Sequence, residues 1–410
     1  MISPSFCVRC KGRGWCGGNC RILEKHTNQL KALSQFSGTE LHGNSPPALF
    51  VGRYGYPKVN LAPLSPPSIL KDSSILESPE RWFGLSQEKI ISMREQLVRG
   101  NIKVEINSAR DPSYQIGEIQ ETAMAASPVE VEIDLKNRPI PKLSFSDSSA
   151  PMGPSAEMKK FTLTENPSIP TKVDYLVSDT DVLSTTALNE LYRSGIPVSS
   201  LSKLLSAGLL GVKKRRKFVP TRWAITAADS NIAKEMVEEK VKGFQQIGSH
   251  FLFNSNYLDN NFFVLLIPGE WQFEQLEAWA PGGVWTEGAK EPSVISDFEF
   301  YGGRKKYADN VAGAYYAAKL AVAEYLVKEK RQAGALIFRE IGAGYQTPMG
   351  VWVIREVVRN AFSKKPMEFF DLNLVLKYIE SRLKIPMKFY RKESKILERI
   401  RTQRKLSEWY

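Results

Sequence analysis

Hydrophobic positions change their spacing along this chain, and the changes mark its elements. In the last third, Val311, Tyr315, Ala318, Val322 and Leu326 recur at helical spacing, ALIFREI then reads as a strand, and Val351, Ile354, Val358 and Ala361 share one face of the next helix. A further helix, Leu372 to Leu383, completes a compact α/β unit. Upstream, FFVLLIPGEWQFEQLEAWAP predicts two strands joined by a Pro-Gly turn, and VEVEIDLKNRP alternates in the manner of a half-buried strand. Residues 88–98 predict a helix, and PPALFVGRYGYPKVNLAPLSPP an apolar strand broken by glycine and proline.

The stretch VDYLVSDTDVLSTTALNELYRSG predicts a short strand, an Asp-Thr-Asp turn and a helix. The next helix carries Leu201, Leu204 and Leu205 inward and is followed by two β-like runs flanking a basic cluster, an order that resembles a winged helix-turn-helix. Thr226 and Asp229 then predict a capping box ahead of an amphipathic helix bearing Ile232, Met236, Val237 and Val241. PGGVWTEGAKEP, with its glycines and prolines, is the best internal boundary. The fold class is mixed α/β (α+β): a loop-rich N-terminal domain with a small four-cysteine zinc knuckle, and a compact α/β C-terminal domain. The boundaries are 1–25 for the knuckle, 26–285 for the N-terminal domain, 286–387 for the C-terminal domain and 388–410 for a basic tail.

At 410 residues, 42% hydrophobic and 24% charged, the chain has the material for several cores, which excludes disorder as its main condition. The longest apolar run, Phe262 to Ile267, falls well short of the ~18 residues needed to cross a bilayer. The opening MISPSF lacks a basic-then-apolar signal pattern. These features predict a cytoplasmic protein with no membrane partner.

The formal charge is +12, and it is concentrated. Lys213, Lys214, Arg215, Arg216 and Lys217 run together, and the stretch from Lys388 to Lys405 holds eight cations against Glu393 and Glu398. Clustered cations displace counterions from a phosphate backbone, so both runs are candidate nucleic-acid contacts; a solvated face is the alternative. Gly52, Arg53 and Gly55 offer backbone amides and a guanidinium to a phosphate, or simply form a turn beside a surface arginine. The glycine turn EIGAGYQTPMG before a helix is a possible anion pocket. Asp179 and Asp181 suit either a divalent cation in phosphoryl chemistry or ordinary helix capping.

All four cysteines, Cys7, Cys10, Cys16 and Cys20, fall in CVRCKGRGWCGGNC. Paired thiolates at this spacing suit one tetrahedral ion, and the glycines let a short segment wrap around it, which predicts structural zinc. An iron-sulfur cluster is the alternative.

At the other end, Leu406, Trp409 and Tyr410 stand at i, i+3 and i+4, so one helical turn would project three bulky groups on one side. With Gln403 they resemble the Q-x-x-h-x-x-a-a motif that binds DNA sliding clamps. In that motif the glutamine caps a polar pocket while the other three plug a hydrophobic one. Tyrosine stands where phenylalanine is often seen last.

Taken with FVGRYGYPKVN, KKRRKFVPTRWAIT and GYQTPMGVW, the cysteine-rich start and the terminal motif resemble the archaeal Nre family of DNA-repair proteins over nearly the whole length. The resemblance implies DNA repair, a sliding clamp (PCNA) as partner and DNA as a further one, hence a place near the nucleoid. Two other readings stay open. One is a clamp-recruited enzyme acting on nucleotides or phosphoesters through Asp179, Asp181 and Arg53 or the glycine turn. The other is a zinc-stabilised adaptor without activity.

Overall fold

The computed structural model describes residues 4–13, 15–17, 20, 22, 24, 36, 38–140 and 143–402, which fall into two compact units. The N-terminal unit comprises residues 23–232; the C-terminal unit joins residues 1–22, including helix α1 (Pro4–Cys10), to residues 233–410. Each contains a six-stranded mixed sheet, so the mixed α/β class holds.

In the N-terminal unit, β1 (Glu40–Ser45), β2 (Ala48–Val51) and β3 (Lys58–Ser65) precede helix α2 (Gln87–Glu95). Then follow β4 (Val98–Glu105), α3 (Tyr114–Met124), β5 (Val129–Leu135) and β6 (Ser155–Leu163). The strand order is β1-β5-β6-β4-β3-β2, antiparallel except for β4 with β6. The alternation read in VEVEIDL appears in β5, where Val129, Val131, Ile133 and Leu135 are buried. Three short helices follow: α4 (Thr171–Ser178), α5 (Ser184–Arg193) and α6 (Val198–Ser206). The two units divide at residues 232 and 233, inside α7 (Thr221–Glu239).

The C-terminal unit continues through β7 (His250–Tyr257), β8 (Asn260–Ile267), β9 (Gln272–Trp279) and β10 (Ser293–Glu299). After α8 (Gly313–Glu329) come β11 (Gly334–Ile341), α9 (Trp352–Phe362) and β12 (Met367–Phe369). The order is β10-β9-β11-β8-β7-β12. Helices α10 (Leu372–Glu380), α11 (Met387–Glu393) and α12 (Lys395–Thr402) end the described chain. They bury Val375, Leu376, Ile379, Met387, Tyr390 and Ile396 against Leu265, Leu276 and Phe338 of the sheet. Helix α8 covers the opposite face, its Tyr315 ring 4.9 Å from that of Phe273. Both faces are therefore buried, which explains why the burial of β9 and β11 is continuous rather than alternating.

Several expectations change. VDYLVS is helical, because Pro170 starts a turn whose Val173 and Leu176 bury together. TRWAIT is the start of α7 rather than a wing, so no winged helix-turn-helix forms; Pro220 accepts the first amides of the helix, from Trp223 and Ala224. Thr226 and Asp229 sit inside that helix instead of capping it. The Pro-Gly turn joins β8 to β9, but β11 lies between them as the strand paired to both. PGGVWTEGAKEP links β9 to its antiparallel neighbour β10 within one sheet. The basic stretch from Lys388 to Arg401 is helical and docked, with Lys388, Arg391, Lys392 and Lys395 outward. Among the described residues no helix is long and apolar enough to cross a membrane.

Candidate nucleic-acid interface

The basic run forms one corner of the N-terminal unit. Lys213–Arg215 make a single 3-10 turn, and the side chains of Lys213, Lys214, Arg215 and Lys217 are exposed. Arg216 behaves differently. Its Nε donates to the Gly211 carbonyl at 2.7 Å and its Nη2 to the Asp179 carbonyl at 2.7 Å. Burial lowers its pKa, with the Asp179 charge acting the other way. One arginine thus ties the loop down while its neighbours face solvent.

The backbone fixes the loop further. Lys213 N–H donates to Thr180 O at 2.8 Å, and Arg110, itself paired with Asp111 at 3.5 Å, donates from Nη1 to Lys214 O at 3.2 Å. Gly208, at φ +69°, lets the segment pack close: a Cβ there would stand 2.7 Å from Lys217 O and 2.6 Å from the Ala109 methyl. Phe218 N–H donates to Ile106 O at 2.9 Å, and Ile106 N–H donates to Pro57 O at 3.1 Å. Ile106 therefore stitches the basic segment to the turn between β2 and β3.

That turn carries Arg53, Tyr54 and Tyr56. It closes through Lys58 N–H to Gly55 O at 2.9 Å, with Gly55 at φ +86°, while Gly52 N–H donates to Asn60 O at 2.8 Å, so Gly55 serves the turn and the Gly52 amide is taken by the hairpin. The Arg53 guanidinium lies 5.0 Å from the Tyr54 ring centroid. Tyr56 meets Trp223, on the first turn of α7, edge to face at 5.3 Å. All three rings remain open to solvent: Tyr54 is 69% exposed, Tyr56 47% and Trp223 46%. Thr221 Oγ1 accepts Val51 N–H at 2.8 Å, which fixes the start of α7 beside the end of β2. The rings were legible as YGYP and TRW in the sequence, but nothing local said that they meet.

Asp179 Oδ1 accepts the amides of Asp181 and Val182, each at 3.1 Å, which lowers its pKa and ties the turn ahead of α5. Neither aspartate caps that helix, whose N-cap position is Leu183. At the glycine turn, Asp259 Oδ2 accepts Gly344 N–H at 2.7 Å, so the protein's own carboxylate takes the amide an anion would use.

The four cysteines lie in the C-terminal unit. Cys10 is buried, Cys7 and Cys20 are partly buried, Cys16 is exposed, and none of the four is in a disulfide. Burial raises the Cys7 pKa, as do the nearby thiols of Cys20, Cys10 and Cys16. Among the described residues no three His, Cys, Asp or Glu side chains are gathered as a metal cage, so the knuckle is not displayed. The terminal peptide with Gln403, Leu406, Trp409 and Tyr410 lies outside the described residues.

Sequence reasoning also missed a row of buried charge under α8. Strands β9, β10 and β11 turn Glu277, Glu299 and Arg339 to this face. Lys11, from the cysteine segment, donates to Glu277 and to the Val311 carbonyl at 3.2 Å. Arg339 donates to Glu277 Oε1 at 2.6 Å and to Asn260 Oδ1 at 2.7 Å. Burial raises a carboxylate pKa, but Lys11 and Arg339 together outweigh it and hold Glu277 below its ordinary value. Lys319 pairs with Glu299 at 2.6 Å, and Arg304 with Asp297 at 3.1 Å. Each of these carboxylates has its own cation, the arrangement of a framework that pins the cysteine segment to the sheet. The available signal was Gln275 and Glu277 set among Phe273, Leu276 and Trp279 in the strand QFEQLEAW.

Comparison with known proteins gives a consistent picture. The family model described as "Archaeal Nre, N-terminal" matches residues 16–286, and "Archaeal Nre, C-terminal" matches residues 299–409. DNA repair protein NreB of Archaeoglobus fulgidus is 34% identical over 404 residues, covering 98% of this chain and 99% of that protein. DNA repair protein NreA of the same organism is 38% identical over 89% of this chain and 91% of its own length. NreA of Haloferax volcanii is 36% identical over 79% of each. No solved structure matches the chain. With both halves matched by the family's models and full-length relatives at this identity, the chain belongs to the archaeal Nre family.

Proposed function

We propose that this chain is a DNA-repair factor that contacts DNA through the basic corner of its N-terminal unit and is recruited by a sliding clamp bound at its C-terminal peptide. One observation carries the DNA contact: four exposed cations stand on a loop that an inward-turned fifth, Arg216, holds in place. A solvated charged face needs no fixed backbone. A surface that meets phosphates gains affinity when the backbone carrying its cations is fixed before binding. The repair role is supported by relatives named DNA repair proteins over 79% to 98% of the chain.

Recruitment rests on the terminal peptide. Gln403 would occupy the polar pocket of the clamp, and Leu406, Trp409 and Tyr410 the hydrophobic one. Cys7, Cys10, Cys16 and Cys20 would hold structural zinc; mutual repulsion among neighbouring thiolates is the chemistry a bound cation relieves. Metal analysis of the purified protein tests this, with one zinc per chain expected and iron or no metal contradicting it.

The DNA contact is tested by fluorescence anisotropy at low salt, comparing the full chain with a variant in which Lys213, Lys214, Arg215 and Lys217 are alanine. Loss of binding in the variant is the expected result, and undiminished binding would remove this corner from the account. For the clamp, a pull-down should capture the whole chain and the isolated peptide 403–410 but not the chain lacking those residues.

A further inference from the structure

The exposed groups at this corner are of two kinds, cations and aromatic rings. Tyr54 and Tyr56 share a turn with Arg53, Trp223 meets Tyr56, and backbone bonds at Ile106 tie Pro57 of that turn to Phe218, the neighbour of Lys217. A surface that receives a protein helix generally offers aliphatic grooves to aliphatic anchors. Exposed rings on the same unit as exposed cations, with Arg53 against Tyr54, instead match a ligand that alternates flat rings with anionic linkers, which is the chemistry of a nucleic-acid strand.

In intact duplex the bases are already stacked on one another and offer no face to a protein ring. Only a base released from pairing can stack on a side chain, and taking one out of a duplex costs unstacking energy. Phosphate contacts at Lys213, Lys214, Arg215 and Lys217 do not distinguish the two forms, because both carry phosphates. The rings do.

We infer that the Tyr56–Trp223 pair, with Tyr54 beside it, is a stacking platform for an unpaired base, so that this surface takes DNA with single-stranded character in preference to intact duplex. The inference rests on the reading of the corner as a DNA interface and goes one step further, to the form of DNA. The edge-to-face contact at 5.3 Å sets the two rings at 60°. Each ring braces the other, so neither must be ordered when a base arrives. Arg53, held over Tyr54, puts a guanidinium where the adjoining phosphate would lie.

The experiment uses the full chain and three labelled probes: a single-stranded DNA, the duplex of the same sequence, and a single strand carrying abasic sites. The single strand should bind tighter than the other two. Tyr56→Ala and Trp223→Ala should each weaken single-strand binding by about tenfold, in line with the worth of one base stack, and leave duplex binding nearly unchanged. Tyr56→Phe and Trp223→Phe, which keep a ring, should retain most of the affinity and separate stacking from damage to the fold. Equal losses on all three probes, or no preference for the single strand, would overturn the inference while leaving the DNA interface standing. Tighter binding to a fourth probe, RNA of the same sequence, would overturn DNA as the ligand. Absence of binding to any probe would sink the interface and the platform together.

Discussion

Arg216 and Lys217 are neighbours with opposite surroundings, and the difference is measurable. Arg216 satisfies two carbonyls. Arg216→Ala should therefore destabilise the fold by roughly 1–3 kcal/mol, read from urea denaturation, because those acceptors lose a charged donor. Lys217→Ala should stay within about 0.5 kcal/mol of the parent, as exposed positions usually do, while weakening DNA binding. The buried row makes a second contrast. Glu277→Gln leaves Lys11 and Arg339 without their shared anion, so it should cost on the order of 3–5 kcal/mol. The pH sign follows from the depressed pKa of Glu277. Its contribution is fully present above the ordinary carboxylate pKa and is lost as pH falls through the lower folded value. Thermal melts of the parent should weaken along that acid limb, and Glu277→Gln should flatten it; an unchanged limb in the variant would assign the acid sensitivity to other groups.

At the scale of elements, periodic segments were readable and their partners were not. Helix α8 buries four of the five expected apolar positions, Tyr315, Ala318, Val322 and Leu326, and Val311 is buried just ahead of it; Ala314, Ala317 and Ala321 are buried as well, so burial extends beyond the face that the spacing marked. TRWAIT misled because β-branched and aromatic residues favour strands, whereas Pro220 and the fit of Thr221 against Val51 start a helix there. The docking of the basic C-terminal stretch was equally hidden. Ser394 donates to Glu274, whose carboxylate also accepts the amides of Lys395 at 2.8 Å and Ile396 at 3.0 Å, a cap supplied from β9 some 120 residues away. No local pattern announces such a partner. Glu274→Ala should therefore loosen α12 selectively: limited proteolysis is expected to cleave near Lys395 faster than in the parent, with the sheet core still protected. Unchanged cleavage would mean that Ile396 and Leu397 hold the helix without the cap.

At the scale of the whole molecule, the chemistry divides between ends and middle. The cysteine segment and the terminal peptide were the plainest features of the sequence because each is a local motif, complete within one short run. The aromatic and basic corner was only half legible: the five cations were evident as a run, but their association with Tyr56 and Trp223 depends on backbone bonds through Ile106, which joins segments about 50 and 110 residues away. The repair role and the family come from the relatives, and the corner is the surface proposed for that role. The most direct measurement of this account is the salt dependence of DNA affinity for the full chain and for the variant with Lys213, Lys214, Arg215 and Lys217 replaced by alanine. If these side chains neutralise phosphates, the log–log slope on duplex should fall by roughly 3 to 4 in the variant, since each displaced counterion contributes about 0.9. An identical slope in the two proteins, with both still folded, would contradict it.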